Sequence, residues 1–279
     1  MYKHKELEPQ IKLNTSGKVP YFTYPLLEQT GIVKHGFSTR LGGVSSGVCA
    51  SMNLDFKKEK SEKNVQENFK RMAEALDMPY ERMTASHQTH TVNVRRIYEC
   101  DAGNGISKPG KYKDVDGMIT NVKNLPLVTF YADCIPLFLV DKVHGAIGLA
   151  HSGWRGTVGH IGKEAVDAMV KEFGSLPSDI IACIGPGICA DCYEVSEDVI
   201  LEFKNSFDKE LWDSLFYRKD NGRYQLDLWE ANRQVLLLSG LKAENIAVAD
   251  VCTCCNPELL FSHRASKGQR GALAAFLSL

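Results

Sequence analysis

Residues 132 to 154, ADCIPLFLVDKVHGAIGLAHSGW, contain two apolar runs separated by a short polar segment. The runs cover residues 135 to 140 and 146 to 150, and the polar segment between them ends in a glycine. Short apolar, β-rich runs on either side of such a segment are typical of an antiparallel β-hairpin. This stretch therefore predicts strand, turn and strand, with a cysteine and a histidine at the open end of the hairpin.

Cys134 and His151 are the two residues at that open end. With Lys142 and Val143 at the tip of the turn, their side chains lie directly opposite each other. Opposed residues on antiparallel strands have Cβ atoms about 4.5–5.5 Å apart, a distance at which both side chains can bind one metal ion. A register shift of one residue would turn one of them away. The alternative is a buried cysteine beside a hydrogen-bonded histidine, without a metal.

A third ligand is needed if the ion is catalytic zinc. Such a site takes three protein ligands and leaves a fourth position for water or substrate. The segment SHQTH offers His87 and His90, which follow the first amphipathic helix. From the residues alone, either of the two histidines can complete the site.

The rest of the chain predicts a mixed α+β fold. Strands are expected at LPLVTFYA, DIIACIG and NIAVADV in addition to the hairpin, and several strands follow one another without a helix between them. This order favours a largely antiparallel, layered β-sheet core flanked by helices, in a single domain over residues 1–279. The apolar spacing predicts helices from Ser61 to Met78, Gly156 to Phe173, Ser196 to Phe207, and through residues 228 to 240.

Charge and composition exclude several classes of function. The 33 Lys and Arg residues nearly balance 34 Asp and Glu residues, so the net charge of −1 favours neither nucleic acid nor a membrane surface. No apolar run approaches the about 20 residues of a membrane helix. The N-terminus lacks the apolar core of an export signal, and nine scattered cysteines favour reduced thiols. We therefore expect a cytoplasmic protein.

Three polar residues outside the hairpin are candidates for binding an anion or a sugar. Arg40 and Asn53 lie in a glycine-rich segment, residues 35 to 54, which is either a ligand-binding loop or an ordinary surface loop. Arg155 precedes a predicted helix whose N-terminus would favour a phosphate. Farther along, Arg270 belongs to a C-terminal segment that either closes over a site or forms a basic tail.

The remaining cysteines form two groups in the sequence. Cys189 and Cys192 make a CxxC pair, and Cys252, Cys254 and Cys255 cluster far downstream. Two CxxC pairs would make a structural zinc site. We interpret the second group as lacking the two-residue gap of such a pair, so we expect free thiols.

Seven motifs occur in a characteristic order: HGFSTRLGGVSSG, QTH, DGMIT, ADCIP, AHSGWRGT, IGPGI with CYEV, and VCTCCNPELLFSHR. In these the chain resembles the laccase-domain family, whose members are also called multicopper polyphenol oxidases, purine nucleoside phosphorylases or peptidoglycan editing factors. The resemblance extends from about His35 to the C-terminus. It implies a β-sandwich-like core flanked by helices, similar to the fold of some toxin cysteine hydrolases.

The resemblance also implies the ligands of the metal and the activity. The family's metal-binding residues fall on His90, Cys134 and His151, which selects His90 over His87 and implies zinc. The implied reactions are phosphorolysis of purine nucleosides and hydrolytic deamination of adenosine, by a monomer or small homo-oligomer. The catalytic residues expected are the three ligands and Asp133, a candidate proton carrier that an extended backbone would point away from Cys134. Phosphate and nucleoside are expected to contact Arg40, Asn53 and Arg155.

Three other functions stay open at this point. A copper-dependent polyphenol oxidase is disfavoured because the eight histidines form no His-x-His pair, although two histidines and a cysteine also suit one copper ion. In a metal-free cysteine hydrolase, Cys134 would be the nucleophile and His151 its base. The third function is editing of peptidoglycan precursors, which one family name suggests.

Overall fold

The computed structural model describes residues 10–279. Residues 1–9, on which part of the expectation about an export signal rests, lie outside this range. The described residues form two six-stranded sheets and one small three-stranded sheet. No helix among them is both long enough and apolar enough to cross a membrane.

The strands of the first large sheet are mostly antiparallel, with a short parallel pair at one edge. In spatial order they are β1 (Lys12–Asn14), β2 (Tyr21–Thr23), β3 (Lys34–Ser38), β15 (Leu273–Ser278), β7 (Leu127–Tyr131) and β4 (Thr84–Ala85).

The second large sheet has the predicted hairpin at its centre and a parallel strand at each edge. Its strands in spatial order are β14 (Ile246–Val248), β10 (Ile180–Ile184), β8 (Ile135–Asp141), β9 (Ala146–Ser152), β6 (Gly117–Thr120) and β5 (Val94–Arg96). The small sheet consists of β11 (Glu194–Val195), β13 (Tyr224–Leu226) and β12 (Phe216–Arg218).

Seven α-helices lie within the described range. They are α1 (Pro25–Glu28), α2 (Glu62–Ala75), α3 (Trp154–Val158), α4 (Ile161–Phe173), α5 (Glu197–Ser206), α6 (Trp212–Leu215) and α7 (Leu228–Leu238).

Strand β8 is buried on both faces and therefore connects two cores. Side chains alternate between the faces of a strand. Phe138 and Val140 belong to the core between the two large sheets, and Leu137 and Leu139 belong to the core between the second sheet and the helices. Burial on both faces explains why the strand is an almost unbroken apolar run.

The helices form the outer layers. Phe69 and Met72 of α2 pack on the outer face of the first sheet, where they meet Phe276 of β15. Helices α4 and α7 cover the outer face of the second sheet through residues such as Met169 and Leu236. The order helix, sheet, sheet, helix confirms the predicted α+β class with a layered sheet core flanked by helices. The comparison with toxin cysteine hydrolases stays a prediction.

The predicted helix from Gly156 to Phe173 is two helices in the structure. α3 ends at Val158, and α4 begins after His160, whose φ of 58° is left-handed. Ser206 holds this break by donating to the carbonyl oxygen of Val158 and by contacting His160 Nε2 at 2.9 Å. The apolar spacing continues through the break, so the sequence pattern alone predicts one helix.

The hairpin is present, but its register differs from the prediction. Asp141 pairs with Ala146 and Pro136 pairs with His151, so the turn comprises residues 142–145. Asp141 fixes this turn because one carboxylate oxygen accepts the amides of Val143 and His144. The prediction that Cys134 directly opposes His151 is therefore wrong, since the pairing is displaced by two residues. A displacement of two keeps both side chains on the same face.

Candidate metal centre

His90, Cys134 and His151 form one group of potential metal ligands. Their ligand atoms all lie within 4.8 Å of one another, and Cys134 Sγ is 3.9 Å from His90 Nε2. His151 is buried, Cys134 is half-buried and His90 is exposed. The diagonal placement across the hairpin is thus close enough for a shared ion.

Asp116 shapes the loop that carries His90. Its carboxylate accepts the backbone amides of Thr89, His90 and Thr91 at 3.0, 3.1 and 2.9 Å. Three amides converging on one carboxylate bend the chain tightly, and His90 adopts a left-handed φ of 65°. The bend places the His90 ring against the His151 ring, with centroids 4.9 Å apart.

The same carboxylate orients His151. Asp116 Oδ1 lies 2.8 Å from His151 Nδ1, which leaves Nε2 as the free ligand atom. A carboxylate behind a metal-binding histidine fixes the tautomer and the ring orientation. Burial alone would raise the pKa of Asp116, but the bonds from His151, Thr89 and Thr91 lower it to about 2. Asp116 is thus an anion that holds two of the three ligands.

The thiol of Cys134 favours its ionised form. Burial opposes ionisation, but the adjacent His151 and His90 lower the pKa of the thiol to about 6. Burial also disfavours a charged His151, whereas Cys134 and Asp116 raise the pKa of its imidazole to about 9. Thiolate is the form in which cysteine binds metals. Two imidazoles and one thiolate fit a divalent ion with a fourth, open position.

Gly153 leaves room for this group. A Cβ at this position would lie 2.9 Å from the His90 ring and 3.1 Å from Cys134 Sγ. A side chain there would push both ligands aside, which gives a physical reason for the glycine in the sequence AHSGW.

A pocket of about 700 Å³ includes all three ligand residues in its lining. Cationic side chains also reach it, from Lys57, Lys113 and Arg270. Arg270 Nε is buried and has no hydrogen-bond partner within the described part of the chain. The aromatic residues of the lining are Phe56, Tyr112, Phe130 and Tyr131.

Residues 34–279 match the family model described as multi-copper polyphenol oxidoreductase laccase. The chain belongs to this laccase family. A Bacillus subtilis relative, purine nucleoside phosphorylase YlmD, is 36% identical over 245 residues, which cover 88% of this chain and 87% of the relative. An adenosine deaminase from an unknown prokaryotic organism is 34% identical over 194 residues, covering 69% of this chain and 73% of the relative.

The solved structures of similar proteins agree with this fold. The crystal structure of YlmD from Geobacillus stearothermophilus superposes with a TM-score of 0.88 at 33% identity. The superposition covers 97% of this chain and 99% of that one. The layered architecture is therefore shared with a solved relative along nearly the whole chain.

In this laccase-family chain, the Asp133 side chain connects two loops through hydrogen bonds. It is 8% exposed and has a positive φ of 92°. One carboxylate oxygen accepts the hydroxyl of Thr253 at 2.6 Å, and the other accepts the backbone amide of Arg264 at 2.7 Å. Its predicted role as a proton carrier stays a prediction, and the contacts it makes are those of a residue that positions the C-terminal segment beside Cys134.

The three predicted substrate contacts are not part of the pocket lining. Arg40 donates to the carbonyl oxygens of Ala50 and Pro257. Asn53 is fully buried, and its side chain binds the backbone of Asp55 and Ala272 and the carboxylate of Glu59. Arg155 is exposed and stacks on its neighbour Trp154.

In this structure Arg40 and Asn53 therefore stabilise the glycine-rich segment. The glycine count of that segment does not distinguish such a role from ligand binding.

Sequence reasoning missed the role of Asp116 in this site. Asp116 lies in the motif DGMIT, but nothing in the linear sequence links it to a histidine 35 positions away. For Arg270 the sequence leaves two alternatives, a segment that closes over a site and a basic tail, and the structure places it in the pocket lining with the candidate ligands. The order of residues along a chain carries no signal that two distant side chains are in contact.

Proposed function

We propose that this protein is a zinc-dependent enzyme of purine nucleosides. It cleaves adenosine, inosine and methylthioadenosine with phosphate to give the free base and the corresponding ribose 1-phosphate, which keeps its 5-methylthio group in the last case, and it hydrolytically deaminates adenosine. The observation that carries the proposal is one pocket lined by the three-ligand group, by cations and by aromatic rings. The names of relatives, a purine nucleoside phosphorylase and an adenosine deaminase, support both activities.

The ligand group supports a catalytic zinc ion rather than a structural one. Three protein ligands and a side open to the pocket are the pattern of catalytic zinc sites. Zinc bound there would lower the pKa of a bound water toward neutrality and polarise a substrate oxygen or nitrogen. Asp116 keeps a proton on His151 Nδ1, which preserves Nε2 for the ion.

The pocket supports the nucleoside class of substrate. Its volume lies within the range of about 300–1,000 Å³ that is usual for small-molecule sites. Phe56 and Phe130 offer flat faces against which a purine can stack.

Arg270 is the best-placed phosphate ligand. A buried guanidinium nitrogen without a partner is costly, and an anion in the pocket would satisfy it. Lys57 and Lys113 add positive charge to the same lining. Phosphate held there would attack the anomeric carbon, the bond from that carbon to the purine nitrogen would break, and the purine would leave with a proton.

The leaving purine needs a proton donor. His87 is exposed, lies in the pocket lining and is outside the ligand group, so its imidazole is available to carry that proton. Deamination needs the same kind of group, because water adds at the C6 of adenosine and the amino group must take up a proton before it leaves as ammonia. Asp133 is the second candidate, and its contacts with Thr253 and Arg264 favour a positioning role.

A metal-free cysteine hydrolase is the second candidate function. The lowered pKa of Cys134 and the adjacent His151 also make a nucleophile and base pair. The two functions share both residues, but only the zinc enzyme requires His90.

The deciding experiment combines metal analysis with product analysis on the purified chain. Adenosine, inosine and methylthioadenosine are incubated with and without phosphate, and the products are separated. The proposal expects the free base only with phosphate, together with ribose 1-phosphate from adenosine and inosine and 5-methylthioribose 1-phosphate from methylthioadenosine. It expects inosine from adenosine without phosphate. Chelation should abolish both activities, and zinc should restore them. Activity that survives complete chelation would favour the cysteine hydrolase, and activity restored only by copper would favour an oxidase-type site.

A further inference from the structure

Among residues 10–279, a second group of potential metal ligands consists entirely of cysteines. The sulfur atoms of Cys189, Cys192, Cys252 and Cys255 all lie within 4.8 Å of one another. Cys252 and Cys255 are separated by Thr253 and Cys254, so the downstream group does contain a CxxC pair. The interpretation that it lacks the two-residue gap was wrong, because the middle cysteine of VCTCC obscured the pair.

The distances between the sulfur atoms suit a tetrahedral ion. Four sulfurs about 2.3 Å from a central zinc stand about 3.8 Å apart. Cys192 Sγ is 3.4 Å from Cys255 Sγ, and Cys189 Sγ is 4.0 Å from the same atom. All nine cysteines are free thiols, and these separations are far longer than the about 2.05 Å of a disulfide bond.

Two backbone amides of the cluster donate hydrogen bonds to one of its sulfur atoms. The amides of Cys189 and Cys255 both point at Cys252 Sγ, at 3.2 and 3.4 Å. Such bonds stabilise thiolate ligands, as supporting hydrogen bonds do in metal sites generally. Cys189 and Cys252 are 2% and 4% exposed, and Cys192 and Cys255 are half-buried, so an ion among the four sulfurs would lie against the protein core.

The two CxxC pairs lie where two strand ends meet. β10 and β14 are parallel neighbours, and each pair follows the carboxyl end of one of them. Gly187 and Cys252 form a bridge between the two loops, and the amide of Thr253 donates to the carbonyl oxygen of Gly187 at 2.9 Å. The fold thus brings together pairs that are 60 residues apart in the sequence.

We propose that these four cysteines bind a structural zinc ion, separate from the ion of the His90, Cys134 and His151 group. Four thiolates close the coordination shell, which leaves no position for a substrate. The ion fastens the loop after β10 to the loop after β14.

Both loops contact Asp133, the residue before Cys134. The amide of Ile188 donates to the Asp133 carbonyl oxygen at 2.9 Å, and Thr253 donates to its carboxylate at 2.6 Å. Loss of the ion would therefore loosen the support of Cys134.

The test counts zinc in the full-length protein, prepared under reducing conditions and equilibrated with zinc alone. We expect two zinc ions per chain in the wild type and one in His90→Ala, which keeps the four cysteines. The double variant Cys192→Ser with Cys255→Ser should also hold one. Cys254→Ser is the matched control, because it removes a thiol from the same segment outside the group, and it should hold two.

A second measurement covers the case in which the double variant does not fold. In the wild type, alkylation of thiols is mapped by mass spectrometry before and after removal of zinc. Protection of the four cysteines that is lost with the metal supports the proposal. Equal alkylation in both samples, a disulfide between any two of the four, or iron in place of zinc would overturn it. Neither measurement depends on nucleoside activity, so the proposed function can fail while this site stands.

Discussion

Asp116 Oδ1 lies 2.8 Å from Nδ1 of His151, and the same carboxylate accepts three consecutive backbone amides of the loop that carries His90. One anion thus aligns two ligands that come from different parts of the chain. Cys134 is positioned separately, directly before β8 and next to Asp133, which contacts two loops. A substitution of Asp116 should therefore change the positions of both histidines of the candidate metal site.

Replacing Asp116 with asparagine should lower the affinity for zinc by about 10- to 100-fold, the usual effect of losing a carboxylate behind a histidine ligand. The asparagine amide cannot accept as many bonds, and it no longer fixes the tautomer of His151. Competition with a chromophoric chelator measures the change.

Asp141→Asn is the matched control for this variant. Asp141 Oδ2 lies 2.8 Å from His144 Nδ1 at the turn of the same hairpin, so the pair has the same chemistry but stands far from the ligands. Its zinc affinity should equal that of the wild type. Equal losses in the two variants would show that stability of the hairpin, and not orientation of His151, controls the binding.

His90→Ala should remove one zinc ion per chain and abolish nucleoside turnover, because the remaining two ligands bind zinc far more weakly than three. His87→Ala should keep the ion, since His87 lies outside the ligand group. Metal analysis after dialysis distinguishes them. If His87→Ala lost the ion and His90→Ala kept it, the assignment of the third ligand would be reversed.

Arg270→Ala should raise the KM for phosphate by about 10- to 100-fold, because a charge-assisted hydrogen bond contributes about 1.5–3 kcal/mol. Arg40→Ala decides between the two arginines. Its guanidinium binds two backbone carbonyl oxygens, so we expect a lower melting temperature and a nearly unchanged KM. The opposite result would restore Arg40 as the phosphate contact. Initial rates at varied phosphate and thermal unfolding of each variant supply both quantities.

His35 should make stability depend on pH. Burial lowers its pKa to about 4, with Glu28 opposing the shift, and the neutral Nε2 accepts the amide of Tyr24 at 2.8 Å. Below the ordinary pKa of about 6.5, His35 is protonated in the unfolded chain but stays neutral in the folded chain. The free energy of unfolding therefore falls as the pH drops toward 4. The free energy of unfolding should fall by about 3 kcal/mol between pH 7 and 4 from this residue alone.

Urea unfolding of the wild type and of His35→Gln over this pH range isolates that contribution. The variant is expected to be less stable at pH 7 but to lose about 3 kcal/mol less on acidification. Parallel curves for the two proteins would mean that His35 titrates similarly when folded and unfolded.

The hairpin and two of the candidate metal ligands could be predicted from the sequence, because short apolar strands and a polar turn are local features. The register of the hairpin could not be predicted. The side chain of Asp141 fixes the turn at residues 142–145, and one residue of difference at the tip displaces the pairing by two. The face was still predicted correctly, since a shift of two preserves it.

The parts that could not be predicted depend on contacts between distant segments. The break between α3 and α4 depends on Ser206, and the orientation of His151 depends on Asp116. The choice of His90 over His87 came from the family resemblance, because both histidines have the same chemistry. The tight bend around Asp116 turns His90, and not His87, toward Cys134 within the described residues, and metal binding by His90 stays a prediction.

The hairpin β8–β9 is clamped between two apolar cores along its whole length, and the ligands lie at its open end. This packing is made by the apolar side chains of the two cores. We therefore expect the backbone amides of the hairpin to be equally protected from hydrogen exchange whether or not an ion occupies the candidate ligand group.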